Sequence, residues 1–345
     1  MTPIVLFGGP SDERHVSVAS AQNIARVLPE ALLWFWAPEG AVYDVSSKEL
    51  LAHEDPFETD YVPSRPAIWP DIEQALDTLP VDDPIFILGL HGTASEDGTL
   101  QGMLEAHSLP FTGSGSAASA NAFDKERAKS IVRDRLRTAE SYVARDSAEL
   151  EQHAREMLER FERIVAKPVA GGSSRGLYFL KRGDAIPRIS VPYILEQFIT
   201  GRELTVGVVD MGEGPFALPV IEIEVDPGYE FNYAGKYHGT GTREICPANI
   251  PDELRDEAQR VAVTAHEALG CSGYSRSDLI AGPDGVYFLE LNTLPGLTRS
   301  SLVPQQLRVA GIDMREFLEK QMDLASSVMR QPSSVANLSR ITDHG

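Results

Sequence analysis

Cysteine is scarce in this chain. Cys246 and Cys271 are the only two in 345 residues, so no disulfide framework is available and a reducing compartment is expected. Positive charge is also short: 31 Lys and Arg stand against 51 Asp and Glu, a formal charge of −20. That excess argues against nucleic acid or an anionic membrane as the main partner, while leaving room for a local basic pocket. No apolar run approaches the ~20 residues of a membrane helix, so no membrane insertion is expected. The chain has no internal repeat and no low-complexity tract. The opening "MTPIVLFGGPSDER" lacks the basic start of a secretory signal and reaches Gly8-Gly9 at once, so a cytoplasmic protein is expected. What is present, 42% hydrophobic and 24% charged residues, is ordinary globular composition with material for a large core. The length suits two or three domains of about 100–200 residues each.

"PIVLFG" (3–8), "ALLWFWA" (31–37) and "PIFILGL" (84–90) read as strands, the last apolar on both faces as in a covered parallel sheet. "SVASAQNIARVL" (17–28) and "GTLQGMLEAHSL" (98–109) have helical spacing. This series predicts a small doubly wound α/β unit. Residues 38–80 read as irregular, with one helix near 70–78. From about residue 113 a Gly/Ser loop leads into a helix, and "SAELEQHAREMLERF" (147–161) gives another. The segments "RIVAKP", "GLYFLK", "YILEQFI", "ELTVGVV" and "ALPVIEIEV" then predict an antiparallel-rich region. Residues 226–250 read as a loop, and 252–270 as an amphipathic helix stopped by Gly270. A hairpin over 273–292 and two helices near 302–310 and 314–329 close the fold, before a polar tail at 330–345.

The hairpin concentrates oxygen donors. Glu290 and Asn292 are two apart and share a strand face, and the short turn can bring Asp278 beside them. Two carboxylates and an amide oxygen suit Mg²⁺. Arg276, two residues before Asp278, is placed to grip an anion or a developing oxyanion. An exposed polar sheet face has the same pattern. In "ELNTLPGLTRSSLVP" (290–304), Pro295-Gly296 makes a turn, and Ser300-Ser301 precede a helix whose start attracts carboxylates or caps itself. Glu13 and Ser17, after the first strand, stand where parallel sheets bind ligands; a capping Glu is the plain alternative. His91 is expected to serve as a structural hydrogen-bonding group, with Glu96 and Asp97 at the positive end of the next helix. "YILEQFITGREL" carries Glu196 on a strand and Glu203 beyond a glycine turn, acceptors suited to a nucleoside.

The stretch "RIVAKPVAGGSSRGLYFLKRG" (163–183) spaces Gly171 and Gly176 like the first half of a Walker A loop but lacks the following Lys-Ser. Strand-like sequence flanks it on both sides. A β-hairpin tip is therefore expected, with backbone N–H groups able to approach a phosphate and Lys167 reaching in from the incoming strand.

Taken in order, "GGPSDERHVS", "HGTASEDGTLQG", "FTGSGSAASANAFDKERAK", "VAKPVAGGSSRG", "LEQFITGRELTV", "YAGKYHG", "CPA" and "GYSRSDLI…YFLELNTLPGLTRSSLVP" resemble the D-alanine–D-alanine ligases of the ATP-grasp superfamily, over about residues 3–325. The resemblance implies a mixed α/β and α+β ATP-grasp fold in three parts: an N-terminal α/β domain (1–112), a central subdomain with a Gly-rich flap (113–205) and a C-terminal subdomain (206–329), then the tail (330–345). ATP would lie between the last two. It implies that Lys125 and Lys167 hold ATP phosphates, with Lys236 reaching the transferred one. Glu196, Gln197 and the Ile199 backbone would line the adenine pocket, and Glu203 would bind ribose. Asp278, Glu290 and Asn292 would ligate two Mg²⁺, for which Mn²⁺ substitutes, and a K⁺ ion would accompany them. Glu13 would pair with the first D-alanine's ammonium, Arg276 and the Gly296 N–H with its carboxylate and the later oxyanion, and Ser301 and the Leu302 N–H with the second carboxylate. Ser173, Tyr237 and Glu13 would form a network closing the site, with the flap and the 226–250 loop as lids.

The implied reaction joins two D-alanines through a D-alanyl phosphate for peptidoglycan precursor synthesis, in a homodimer. Lys236-Tyr237 resemble the dipeptide-forming members, although His238 is adjacent and D-lactate-forming relatives carry a histidine in that region. D-lactate, D-serine or another amino acid of secondary metabolism as second substrate, and a non-catalytic nucleotide-binding regulator, are the alternatives. The sequence departs from the family pattern at Ser95, at Ser275 and Ser277 around Arg276, and at Arg175 in the flap.

Overall fold

The computed structural model describes residues 1–172, 176–225 and 241–330, the last three of these by backbone alone. Ser173, Arg175, Lys236, Tyr237 and His238 lie outside the described residues, as does the tail beyond 330.

The first sheet has the order β3-β2-β1-β4, from Val42–Val45, Leu32–Trp36, Thr2–Gly8 and Pro84–Leu88. β1 runs parallel to β2 and β4, and β3 is an antiparallel edge. Side chains alternate along β1 between two cores. Val5 and Phe7 join one cluster, Ile4 and Leu6 the other, and all are fully buried. Helices α1 (Arg14–Val27), α2 (Ser47–Leu51), α3 (Ile72–Asp77) and α4 (Thr99–Ala106) accompany this sheet. β3 and α2 fall in the stretch expected to be irregular. Ser46 and Asp71 start α2 and α3 by accepting from the N–H of Glu49 and Gln74.

The single helix expected after residue 113 is two: α5 (Ser116–Phe123) and α6 (Lys125–Val132). Asp124 separates them. Its extended backbone ends α5, and its carboxylate accepts from Arg127 N at 2.9 Å to begin α6.

The second sheet is antiparallel, in the order β5-β8-β6-β7: Ser141–Ala144, Tyr193–Gln197, Arg163–Pro168 and Tyr178–Lys181. It is backed by α7 (Ser147–Arg160), which Asp146 caps. The third sheet, also antiparallel, is β12-β11-β9-β13-β14 with β10 beside β9. These strands are Arg202–Asp210 (β9), Pro215–Ala217 (β10), Ile221–Val225 (β11), Thr242–Ile245 (β12), Tyr274–Gly282 (β13) and Gly285–Asn292 (β14). β12 corrects the loop expectation for the described part of 226–250. Helix α8 (Asp252–Ala268) packs on this sheet, followed by α9 (Leu302–Val309) and α10 (Met314–Arg330).

Packing crosses the expected boundaries. β9 runs through the 205/206 division and pairs with third-sheet strands. α5 and α6 pack on the third sheet rather than the second: Ala122, Ala128 and Val132 share a core with Val206, Leu279 and Phe288. One core of the first sheet likewise extends to Tyr274, Leu307 and Phe317, so the ends of the chain share one hydrophobic cluster. Each such side chain contributes roughly 1.5–3 kcal/mol when fully buried. No helix among the described residues is long and apolar enough to cross a membrane.

Candidate active site

A cavity of about 380 Å³ opens between β6–β8 of the second sheet and β9, β13 and β14 of the third. At its rim is the glycine stretch. β6 and β7 pair antiparallel, with Ala166 opposite Tyr178, so the glycines join two strands as expected. Gly171 and Gly176 have φ of +127° and +69°, the left-handed region that a Cβ disfavours. The start of α6 is tied to this loop. Lys125 N donates to Val169 O at 3.0 Å, and Lys125 Nζ to Gly171 O at 2.7 Å. The loop also reaches the first unit, where a Cβ on Gly172 would stand 3.1 Å from Glu13 Oε1.

Lys167 and Glu196 lie on neighbouring strands at the cavity wall, with Nζ to Oε2 at 2.8 Å. The other Glu196 oxygen is ion-paired with Lys129. Burial by itself would raise the Glu196 carboxyl, but the two ammonium groups hold it well below its ordinary value. Burial likewise opposes the Lys167 charge, and Glu196, Glu290 and Asp278 outweigh it to raise the ammonium. Burial lowers Lys129 despite Glu196. Sequence reasoning missed Lys129; its signal was the spacing of four from Lys125 on one helical face. It also missed Arg163, whose guanidinium lies 4.3 Å from the Phe179 ring centre and 4.4 Å from that of Phe198, beside Gln197, Ile199 and Glu203 in the cavity lining.

The β13–β14 pairing forms the far wall. Asp278 stands opposite Glu290 and Arg276 opposite Asn292, so the expected cluster does share one sheet face. Asp278 and Glu290 line the large cavity, while Arg276 and Asn292 line a second, of about 70 Å³. Arg276 grips Asp278 in a fork, Nε to Oδ1 at 2.9 Å and Nη2 to Oδ2 at 2.8 Å, and Thr205 Oγ1 also donates to Asp278. Lys125 Nζ lies 3.5 Å from Glu290 Oε2. Among the described residues no group of three His, Cys, Asp or Glu is placed to hold a metal. A metal here would take the Asn292 amide as its third donor. That hard-oxygen set fits Mg²⁺, and both carboxylates already attract cations.

The small cavity is completed by Glu13, Glu244, Gly296, Ser301 and Leu302, among others. Glu13 stands at the start of α1, but its side chain makes no capping bond, so the capping alternative does not hold. Ser17 is corrected. It is fully buried, accepts from Gly8 N at 2.7 Å and donates to Gly89 O at 2.6 Å, so its hydroxyl ties the ends of β1 and β4 together. His91 has the structural role expected, bonded through its ring to Ser20 Oγ and Leu294 O, although it also lines the small cavity. Asp97 accepts from Thr99 N at 2.9 Å at the start of α4. The 293–301 loop is held from α1: Asn23 donates to Leu297 O at 2.8 Å, and Leu297 N donates to Ser20 Oγ. Gly296 packs so closely that a Cβ would lie 2.6 Å from Ser301 Oγ.

Three departures from the family pattern have visible surroundings. Ser275 is fully buried, with Oγ 2.8 Å from His266 Nδ1. Ser277 Oγ and Ser95 Oγ are buried without a hydrogen-bond partner among the described residues, and nothing in the structure explains their choice.

A cleft between two antiparallel sheets, with paired lysines on one wall and facing carboxylates on the other, defines an ATP-grasp enzyme. Solved structures agree on the fold. The D-alanine–D-alanine ligase from Coxiella burnetii matches with a TM-score of 0.76 at 24% identity, covering 95% of this chain and 94% of that one. VanG D-Ala:D-Ser ligase from Enterococcus faecalis matches with a TM-score of 0.75 at 27% identity, covering 94% and 99%. Residues 2–114 match the D-ala D-ala ligase N-terminus family and residues 139–323 the D-ala D-ala ligase C-terminus family. D-alanine–D-alanine ligases from Leptospira interrogans and Bordetella petrii are 35% and 34% identical, over 93% and 95% of this chain and 97% and 93% of theirs. The chain belongs to the D-alanine–D-alanine ligase family of ATP-dependent ligases.

Proposed function

We propose that this chain joins two D-alanines at the expense of ATP, through a D-alanyl phosphate, in the synthesis of peptidoglycan precursors. The observation that carries this reading is the shared wall. One strand pair presents Asp278 and Glu290 to the large cavity and Arg276 and Asn292 to the small polar one, so a phosphoryl group and a carboxylate would meet there.

Lys125 and Lys167 hold the phosphates as cations, Glu196, Gln197 and the Ile199 backbone lie by the adenine with Phe198 beside them in the lining, and Glu203 takes the ribose. Asp278, Glu290 and Asn292 would hold two Mg²⁺, which offset charge on the transferred group when bound. Glu13 takes the first ammonium, and Arg276 its carboxylate. The second D-alanine, its carboxylate at Ser301 and the start of α9, attacks through a neutral amine. Arg276 and the Gly296 N–H then face the oxyanion. The Gly-rich loop, including Ser173, and the segment with Lys236 and Tyr237 close over the acyl phosphate and keep water from it. The three-part division is retained with its second boundary near Gly201 and with α5–α6 belonging to the last part. A cytoplasmic homodimer is proposed with it, and sedimentation would check the assembly.

The test is ADP release with D-alanine and ATP, with the product identified by mass spectrometry. D-alanine-dependent turnover yielding D-Ala-D-Ala supports the reading. Nucleotide binding without turnover on any amino acid overturns it in favour of a regulator. The likeness to a D-Ala:D-Ser ligase supports a second reading, D-serine as second substrate, which the same product analysis separates. Competition with D-lactate at neutral pH separates a depsipeptide former.

A further inference from the structure

Two α-amino acids bring two ammonium groups and two carboxylates into the small cavity. Its described lining offers two carboxylates, Glu13 and Glu244, and Arg276 as the one permanent cation. Glu13 stands at the start of α1, beside the Gly-rich loop, and serves the first substrate. Glu244 is left without a role by that assignment.

Its placement is specific. Glu244 pairs with Ile223, Ile223 with Glu203, and Glu203 with Ile280, so these residues share the sheet face that also carries Asp278 and Arg276 at alternate positions of β13. Glu244 is also fastened to the helix that would receive the second carboxylate. Gln305 Nε2 donates to its carboxylate and, at 2.7 Å, to Ser300 O, one turn into α9. An amino acid whose carboxylate sits at Ser301 and Leu302 therefore has a carboxylate within the same cavity for its ammonium. Burial raises the Glu244 carboxyl while Gln305 and Arg276 act the other way, as expected of an acid facing into a pocket rather than into water.

We infer that Glu244 is a specificity-determining residue of the second-substrate subsite: it receives the incoming amino acid as its ammonium, takes one proton from it so that the neutral amine attacks, and thereby favours an amine over a hydroxyl nucleophile. The inference rests on the proposed ligase reading and names the substrate class of its second subsite. It adds a charge-assisted hydrogen bond that D-lactate has no group to make.

The test compares wild type with Glu244→Gln, which keeps the shape and an oxygen for Gln305. Gln305→Ala, which releases the carboxylate, is a second variant, and Glu224→Gln, on the pair with Arg243 outside the cavity, is a control. KM is measured for each D-alanine and for ATP, with product partition between D-alanine and D-lactate. The expected result for Glu244→Gln is a KM for the second D-alanine raised about tenfold or more. The KM values for ATP and the first D-alanine stay within about twofold, and the partition moves toward the D-lactate product. Gln305→Ala moves both readouts the same way by less, and the control moves neither. A second-site KM and partition unchanged in Glu244→Gln overturn the inference, as does an equal rise in all three KM values. If wild type shows no D-alanine-dependent turnover, the ligase reading itself fails, a result distinct from both.

Discussion

Lys167 and Glu196 make a 2.8 Å ion pair between neighbouring strands at the wall of the large cavity, and Lys129 occupies the other carboxylate oxygen from helix α6. One buried anion is thus shared by two buried cations, and Lys167 is positioned by a carboxylate that is itself clamped from its other side. The arrangement tolerates loss of its centre poorly, because Lys129 would be left without its anion and Lys167 with only the more distant Glu290, 4.0 Å away, both out of water.

Glu196→Gln should therefore destabilise the fold by about 3–5 kcal/mol, as breaking a buried ion pair does. It should also raise the KM for ATP. Removing one cation as well, in Lys129→Met with Glu196→Gln, should restore part of the stability. Urea denaturation and initial rates against ATP check both points.

Arg276 binds Asp278 through two parallel N–H bonds, which a single ammonium does not reproduce. Arg276→Lys should lower kcat by about 10²–10³, the usual effect of losing an oxyanion donor, with a smaller change in the KM for ATP. Steady-state kinetics with each substrate varied separates the two effects.

A Cβ on Gly296 would lie 2.6 Å from Ser301 Oγ and 3.3 Å from Ser301 Cβ, so Gly296→Ala must move the serine. The expected outcome is a rise of about tenfold in the KM for the second amino acid, from a loss of about 1.4 kcal/mol in binding, with nucleotide affinity retained. Equilibrium nucleotide binding alongside kinetics would show the split.

His266 is buried against Ser275, and burial lowers its imidazole to about 4 from an ordinary 6.5. The folded state holds this ring neutral, so the unfolded chain binds the extra proton first. The contribution is fully present above pH 6.5 and is lost as pH falls toward about 4, a loss of roughly 3 kcal/mol at about 1.4 kcal/mol for each unit. Stability measured from pH 7 to 4 should fall less steeply in His266→Gln than in wild type.

Much of the site was legible along the chain. Asp278, Arg276, Glu290 and Asn292 lie on two strands joined by a short turn, and a period of two pairs Arg276 with Asp278 and Glu290 with Asn292 on their own strands; that the two pairs share a face depends on a register shift between Asp278 and Leu279, which sets Asp278 opposite Glu290 rather than Leu289 and which the sequence did not show. The glycine stretch was legible too, since strand-like sequence on both sides made it a hairpin tip. Ser17 was misread because position after a strand does not reveal depth, and its hydroxyl is consumed by two backbone groups. Lys129 and Arg163 were passed over because each acts on a partner from a separate segment. β12 was hidden in a stretch whose polar composition resembles a loop, since an edge strand needs no apolar alternation on its outer side.

The sequence by itself determined the elements: the doubly buried strands of the first sheet, the hairpin with its oxygen donors, and the aspartates that start α3, α6 and α7. These depend on neighbours a few residues away, through backbone geometry and the alternation of side chains. Only the tertiary structure decided which groups converge. It placed α5 and α6 on the third sheet, joined Phe317 to the core of β1, brought Lys129 to Glu196, and turned Glu13 and Glu244 into the same small cavity. Ion pairing and burial act through space between residues remote in the chain, and no local period records that.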